Sequence, residues 1–240
     1  MEATEPQRPT IIIKQNWLTR KPNSFAADFT YIFSFFLFVL SATYLNDYFG
    51  LQKWLSATAE QVFTRHEYWR AWSTLFAHGD WGHFLSNALL FIPMTYLFTA
   101  HYGYLFFPVV GVFIGGLVNL IVLKTLGPQI TLLGISGVVY WMGAAWLTLY
   151  ALVDRRENLR RRLARVVILT VLLFTPEAYK PQISYLSHLL GFSTGVFSAL
   201  AFYYLNQKKF LSAEVKEYIY EDASALEPMP PSEIDLTLKA

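Results

Sequence analysis

The sequence contains no cysteine and few charged side chains, and both shortages restrict its class. Without cysteine, the chain can form no disulfide, no thiolate metal site and no cysteine nucleophile. Charged residues make up only 15% of the 240 residues, whereas 54% are hydrophobic and 18% are aromatic. Soluble domains of this length carry more charge. Because the hydrophobic residues are concentrated in blocks, the composition predicts an integral membrane protein.

A strong net charge and a signal peptide are missing as well. The net charge of +2 gives no support for nucleic-acid binding, so no nucleic-acid partner is expected. The first 25 residues are polar, with prolines at positions 6, 9 and 22, and contain no apolar stretch of the signal-peptide type. We therefore expect the first apolar block to be a retained membrane anchor.

Six apolar blocks predict an all-α polytopic membrane bundle of six transmembrane helices. The expected spans are about Ala26–Leu45, His83–Ala100, Tyr104–Leu123, Gly137–Val153, Val166–Ala178 and Ile183–Leu205. The fifth block is the shortest of them. Residues 1–25 are then an N-terminal tail, 26–206 the membrane domain and 207–240 a C-terminal tail. In the C-terminal tail we expect one short helix, around residues 213–220.

Basic residues are distributed unevenly between the two sides of this predicted bundle. Six spans place both termini on one side, which holds fourteen of the nineteen lysines and arginines, including six arginines within residues 154–165. The loops on the opposite side hold the other five. By the positive-inside rule both termini are expected to be cytoplasmic. The fourth span then begins at the extracytoplasmic side.

Ser136 lies between two glycines at the start of the fourth apolar block. The first turn of a helix presents unpaired backbone N–H groups and the positive end of the helix dipole, so it favours the formation of an oxyanion. Gly134 and Gly137 permit a tight turn and a close backbone approach. Glycine and serine are also common packing residues between membrane helices, and for this motif alone that interpretation stays open.

Polar side chains in two other apolar blocks are expected at the same depth as Ser136. His83 and Asn87 are four residues apart and therefore share one helix face, while His188 lies near the start of the sixth block. Such groups are costly in a membrane and usually mark a functional site. Together these residues supply a nucleophile, an imidazole base and two side-chain donors, which acyl-transfer chemistry requires.

Several of these features also have ordinary structural interpretations. Asn87 could bond a neighbouring helix, the pair Gly191 and Gly195 indicates close helix packing, and Trp69-Arg70 could be an interface anchor.

Metal binding by the histidines is not favoured. His78 and His83 are five residues apart, which is poor spacing for two ligands on one helix face, and no carboxylate follows in the H-E-x-x-H manner. We expect neither a metal nor a cofactor.

Four motifs, in this order along the chain, resemble those of the rhomboid intramembrane serine proteases. They are Trp69-Arg70, then His78-x4-His83-x3-Asn87, then Gly134-x-Ser136-Gly137 with Tyr140, and finally His188-x-x-Gly191-x-x-x-Gly195. Ser187 stands where the family usually has alanine. The resemblance covers about residues 69–205. It implies a rhomboid-like fold of the six-span bacterial form, located in an inner membrane.

The resemblance also implies a role for the polar residues. Ser136 would be the nucleophile and His188 its general base, in a dyad without a carboxylate partner. The side chains of His83 and Asn87, with the backbone N–H of Ser136, would form the oxyanion hole.

Supporting roles are implied for three further residues. His78 would stabilise the loop geometry, and Tyr140 would pack against the catalytic imidazole. Gly191 would let the sixth helix press against the fourth.

The resemblance implies the function of a serine endopeptidase that cleaves single-span membrane proteins within or near the bilayer through an acyl-enzyme intermediate. Its partners would be a transmembrane protein substrate and the lipid bilayer. One alternative is an inactive rhomboid-like binder or chaperone of membrane helices, which needs no reactive Ser136. A transporter or channel is the other alternative, but it predicts polar residues through the full bilayer, whereas here they cluster in the outer half.

Overall fold

The computed structural model describes residues 9–174 and 184–219, and these are mostly helical. Five segments are long and apolar enough to cross a membrane, which makes the chain an integral membrane protein. They are α1 (Ala26–Leu45), α4 (Trp81–His101), a wide turn at Leu105–Val110 that continues into α5 (Gly111–Leu123), α6 (Ser136–Val153) and α8 (Tyr185–Leu211). Two short helices, α2 (Gln52–Leu55) and α3 (Arg70–Ser73), lie in the loop between α1 and α4.

These five segments correspond to five of the six predicted spans. The bounds of α1 agree with the prediction, and α8 continues six residues beyond Leu205, to Leu211. The extension carries Lys208 and Lys209, whose long side chains can keep their charges in water while the helix continues.

The predicted span Val166–Ala178 corresponds in part to α7 (Leu159–Phe174), and its last residues fall outside the described ones. Within the described part, α7 begins in the arginine-rich loop, and only residues 166–174 follow its last arginine. Nine helical residues extend about 14 Å, roughly half of a bilayer core of about 30 Å. A sixth span therefore stays a prediction.

The two ends of the described chain form a two-stranded antiparallel sheet. Strand β1 (Thr10–Gln15) pairs with β2 (Val215–Ile219), with Ile11 opposite Tyr218. The helix predicted around residues 213–220 is therefore wrong. The β-branched and aromatic residues of this segment favour a strand once a partner strand is available, and β1 supplies that partner from the far end of the sequence.

The helix α6 lies at the centre of the bundle. In α6, 61% of the residues are buried, against 22% in the most apolar stretch of α1, whose side chains are largely exposed. The ring of Trp141 is fully buried and packs against Phe98 and Phe106, with ring centroids 5.9 and 5.2 Å apart. The spans α4, α5 and α8 pack directly against α6, whereas α1 packs against α4.

Glycines allow α6 and α8 to approach each other through their backbones. A Cβ atom at Gly191 would overlap the carbonyl oxygen of Gly137, and one at Gly195 would overlap the carbonyl oxygen of Trp141. Side-chain packing and polar contacts replace the hydrophobic effect as the force between helices in lipid, so this close approach matters. Further along the same interface, Trp141 donates Nε1–H to Ser198 Oγ at 3.1 Å.

Replacing Gly195 by alanine should separate α8 from α6, because the new methyl group would overlap a backbone carbonyl that cannot rotate away. We expect a loss of about 1–3 kcal/mol, typical of overpacking, measured as a lower Tm in detergent. Gly79→Ala is the control, since its new Cβ would approach only Leu133 Cδ1, at 3.9 Å. Equal Tm values for the two variants would contradict the close approach.

Candidate active site

Ser136 is the first residue of α6 and is half-buried. The N–H groups of Val138 and Val139 donate to the carbonyl of Ile135, at 2.9 and 3.0 Å. The N–H groups of Ser136 and Gly137 therefore precede the first intrahelical donors and lie at the positive end of the helix. This is the backbone environment that an oxyanion requires.

The turn before Ser136 faces two polar side chains of α4. Gly134 has a φ of +103°, and a Cβ atom there would lie 2.8 Å from His83 Nε2 and 3.8 Å from Asn87 Nδ2. Asn87 is buried, and its Nδ2 has no hydrogen-bond partner among the described residues. A buried amide donor without a partner is costly, so a ligand oxygen at this position would stabilise it.

His188 is on α8, and its side chain packs against the face of α6 that carries Tyr140. The imidazole is 7% exposed and stacks on the ring of Tyr140, with centroids 3.9 Å apart and an interplanar angle of 14°. Tyr140 is four residues after Ser136, so its side chain and the serine share one helix face. The contact between Gly137 and Gly191 lies next to this stack. His188 therefore contacts Tyr140, one turn after Ser136, at the end of the α6–α8 interface where α6 begins.

His78 is fully buried and joins the loop to α1. The hydroxyl of Ser41 donates to the carbonyl of Phe76 at 3.0 Å, so at 2.9 Å its oxygen accepts from the protonated Nδ1 of His78. Burial, and then the neighbouring His83, lower the pKa of His78 to about 3, which keeps the ring neutral. The rings of His78 and His83 are 5.1 Å apart. His78 thus connects the loop before α4 to Ser41 of α1 and lies beside His83.

Arg70 organises the loop between α1 and α4. Its buried guanidinium pairs with Glu67 and donates to the carbonyls of Lys53 and Ser56, at 2.6 and 3.0 Å. A cation that binds carbonyls at a helix C-terminus stabilises that end, here the end of α2. The guanidinium also lies 4.7 Å from the centroid of the Trp69 ring, and Trp69 is 44% exposed. Arg70 thus stabilises the structure of the loop, and the ring of Trp69 beside it is partly exposed.

Thr74 fixes the turn that precedes Ser136, and sequence analysis did not identify it. Its carbonyl accepts from the N–H of Gly134 at 3.1 Å, and its hydroxyl donates to the carbonyl of Leu132. Leu132 in turn donates its N–H to the carbonyl of Ala57 at 2.8 Å. Because Thr74 and Leu132 are 58 residues apart, no local pattern could have revealed this contact.

Among the described residues, no group of three or more histidine, aspartate and glutamate side chains is arranged to hold a metal ion. The polar groups around Ser136 include hydroxyls, imidazoles, an amide and backbone N–H groups. This set matches acyl transfer, which needs a nucleophile, a proton acceptor and donors for an oxyanion.

The fold and the motifs define a helical membrane protein with a serine and a histidine at one helix interface. A Rhomboid domain model matches residues 65–205, more than half of the chain, and the protein belongs to the rhomboid family. That family includes active intramembrane serine proteases and inactive homologues. A search of curated proteins finds no match. The matched region contains every predicted site residue from Trp69 to Gly195.

Replacing Thr74 by valine should loosen the turn before Ser136, because the isosteric side chain cannot donate to Leu132. We expect a loss of about 1–3 kcal/mol in the free energy of unfolding and faster amide exchange at Gly134. Thr95→Val is the matched control, since Thr95 is also fully buried but donates to Phe91 of its own helix. Exchange at Gly134 that is as slow in Thr74→Val as in Thr95→Val would contradict this role.

Proposed function

We propose that this protein is an intramembrane serine endopeptidase in which Ser136 is the nucleophile and His188 the general base. The observation that carries the proposal is the stack of His188 on Tyr140, one turn after Ser136, beside the contact of Gly137 with Gly191. Family membership supports the same assignment. A serine hydroxyl is a poor nucleophile unless a neighbouring base takes its proton, and His188 is the imidazole that shares its helix interface.

The proposed reaction uses Ser136 and His188 in two stages. Ser136 Oγ attacks the carbonyl carbon of the scissile peptide while His188 takes the hydroxyl proton. The bond to the leaving nitrogen then breaks, and His188 returns the proton to that nitrogen, which leaves an ester on Ser136. Water, deprotonated by His188, hydrolyses this acyl-enzyme and regenerates the serine.

Negative charge develops on the carbonyl oxygen in each tetrahedral intermediate. The unpartnered Nδ2–H of Asn87 and the side chain of His83 lie beside the turn at Gly134, directly before the N–H of Ser136. These groups form the oxyanion hole in this proposal. Donors that are fixed in position before the reaction stabilise such a charge more effectively than water does.

The substrate in this proposal is a single-span membrane protein, which reaches Ser136 from the surrounding bilayer. The end of α6 that carries Ser136 faces the extracytoplasmic side, and both termini are cytoplasmic, as the basic residues predict. Residues 1–25 and 207–240 then belong to the cytoplasmic side, with β1 and β2 joining them. A bacterial inner membrane is the proposed location.

Replacing Ser136 by alanine, or His188 by alanine, should abolish cleavage of a single-span substrate by the purified protein in liposomes. The measurement is product formation on a gel, with the intact protein assayed beside both variants. Equal product from all three would exclude this dyad. A folded intact protein that binds the substrate but forms no product would favour the inactive binder.

Replacing Asn87 by alanine should lower kcat about 10²–10³-fold, the effect typical of losing one oxyanion donor. Asn206→Ala is the matched control, because the Asn206 amide donates only to Phe202 of its own helix, at 2.9 Å, near the other end of α8. Steady-state cleavage kinetics measure both variants. An unchanged kcat in Asn87→Ala would remove Asn87 from the oxyanion hole.

A further inference from the structure

A short turn near the N-terminus makes a buried polar contact with the helix that carries Ser136. Asn16 is 1% exposed, and its Oδ1 accepts from the N–H groups of Leu18 and Thr19, at 3.0 and 3.2 Å. Its Nδ2 donates to Asp154 Oδ1 at 2.7 Å. Both halves of the amide are therefore occupied, one in capping its own turn and the other in binding a residue 138 positions away.

Asp154 is a fixed anionic group at the end of α6. It follows the last residue of the helix, is 7% exposed, and receives two hydrogen bonds from Arg156, each 2.8 Å long. The hydrogen bond from Arg156, more than that from Asn16, holds the pKa of Asp154 below its ordinary value, so the carboxylate is ionised. A hydrogen bond to a charged group is stronger than one between neutral groups.

The next residue, Trp17, binds two further helices at the same end of the bundle. Its Nε1–H donates to the carbonyl of His101, the last residue of α4, at 2.7 Å. Its ring lies 4.8 Å from Lys209 Nζ and packs edge-on against Phe210, both on α8. Two consecutive residues thus contact the far ends of α4, α6 and α8.

These are the three helices that carry the candidate active-site residues. His83 and Asn87 lie on α4, Ser136 on α6 and His188 on α8, all near the opposite ends of their helices. We propose that Asn16 and Trp17 form a clamp that fixes the relative orientation of α4, α6 and α8, and that Asn16 is a positioning residue for the dyad. The catalytic consequence of the clamp rests on the proposed function.

The length of α8 explains how a contact so far from Ser136 affects the reaction. The 27 residues of α8 extend about 40 Å, and the glycine contacts at Gly191 and Gly195 make a pivot near its first turns. A rotation of α8 at the clamped end therefore changes the separation of His188 from Ser136. Misplacing reacting groups by about 1 Å is sufficient to lower a rate about 100-fold.

The test exchanges the donor and the acceptor of the buried pair. Asn16→Asp keeps an oxygen to cap the turn but places a carboxylate against Asp154. Asn16→Asp with Asp154→Asn restores the amide–carboxylate hydrogen bond between the two positions and leaves Arg156 one acceptor oxygen instead of two. Asn158→Asp is the matched control, since exposed Asn158 caps the start of α7 through Oδ1 at 2.9 Å. Readouts are kcat and KM for a single-span substrate and the rate of tryptic cleavage after the exposed Arg20.

We expect Asn16→Asp to lower kcat about tenfold with KM nearly unchanged, because repulsion at the clamped end would misplace His188 relative to Ser136 by less than about 1 Å. The double variant should recover most of the lost kcat, and Asn158→Asp should match the intact protein. Tryptic cleavage should be faster in Asn16→Asp and slow again in the double variant. An unchanged kcat in Asn16→Asp, or a loss that the exchange does not recover, would overturn the positioning role.

The tryptic measurement does not depend on protease activity, so it separates the clamp from the proposed function. If the intact protein cleaves no substrate, the proposed function and the positioning role fail. The clamp itself then stands if Asn16→Asp speeds tryptic cleavage and the exchange reverses that effect. The clamp is overturned if the rate of tryptic cleavage is the same in all four proteins.

Discussion

The backbone contact between α6 and α8 determines how Ser136 and His188 lie relative to each other. Gly137 touches Gly191, and Trp141 touches Gly195, because none of these glycines has a side chain to hold the helices apart. A wider separation would move His188 off the ring of Tyr140 and away from the helix face that begins with Ser136. In lipid, where no hydrophobic effect drives helices together, such close packing is the main force available.

A second set of contacts fixes the turn before α6 from outside the helix pair. The segment between α1 and α4 holds this turn through Thr74 and Ala57, and Arg70 folds the segment itself around the end of α2. His78 joins the same loop to Ser41 of α1. The turn beside the candidate oxyanion hole is therefore held by a loop whose own structure depends on buried polar contacts. At the other end of the bundle, Asn16 and Trp17 connect the ends of α4, α6 and α8.

Five of the spans were predictable because their signals are local. A charge-free apolar run is visible in any window, so the bounds of α1 agree with the prediction, and the spacing of His83 and Asn87 specifies a shared helix face. The pairs that could not be predicted join distant parts of the chain: Thr74 with Leu132, Asn16 with Asp154, and β1 with β2. The residues of β2 form a short segment of mixed polar and apolar side chains, a pattern that is compatible with a helix or a strand. Pairing with β1 makes the segment a strand. For α7, the first half is rich in arginine, so the apolar half that remains is too short to specify a span.

Covalent labelling of Ser136 tests the central claim most directly, because it asks whether the hydroxyl is activated without requiring the natural substrate. The purified protein would be treated with a fluorophosphonate, and peptide mass spectrometry would locate the adduct. The account predicts one adduct, on Ser136, that is formed much more slowly in His188→Ala although that variant remains folded. An adduct on another residue, or labelling of Ser136 at the same rate in His188→Ala, would contradict it.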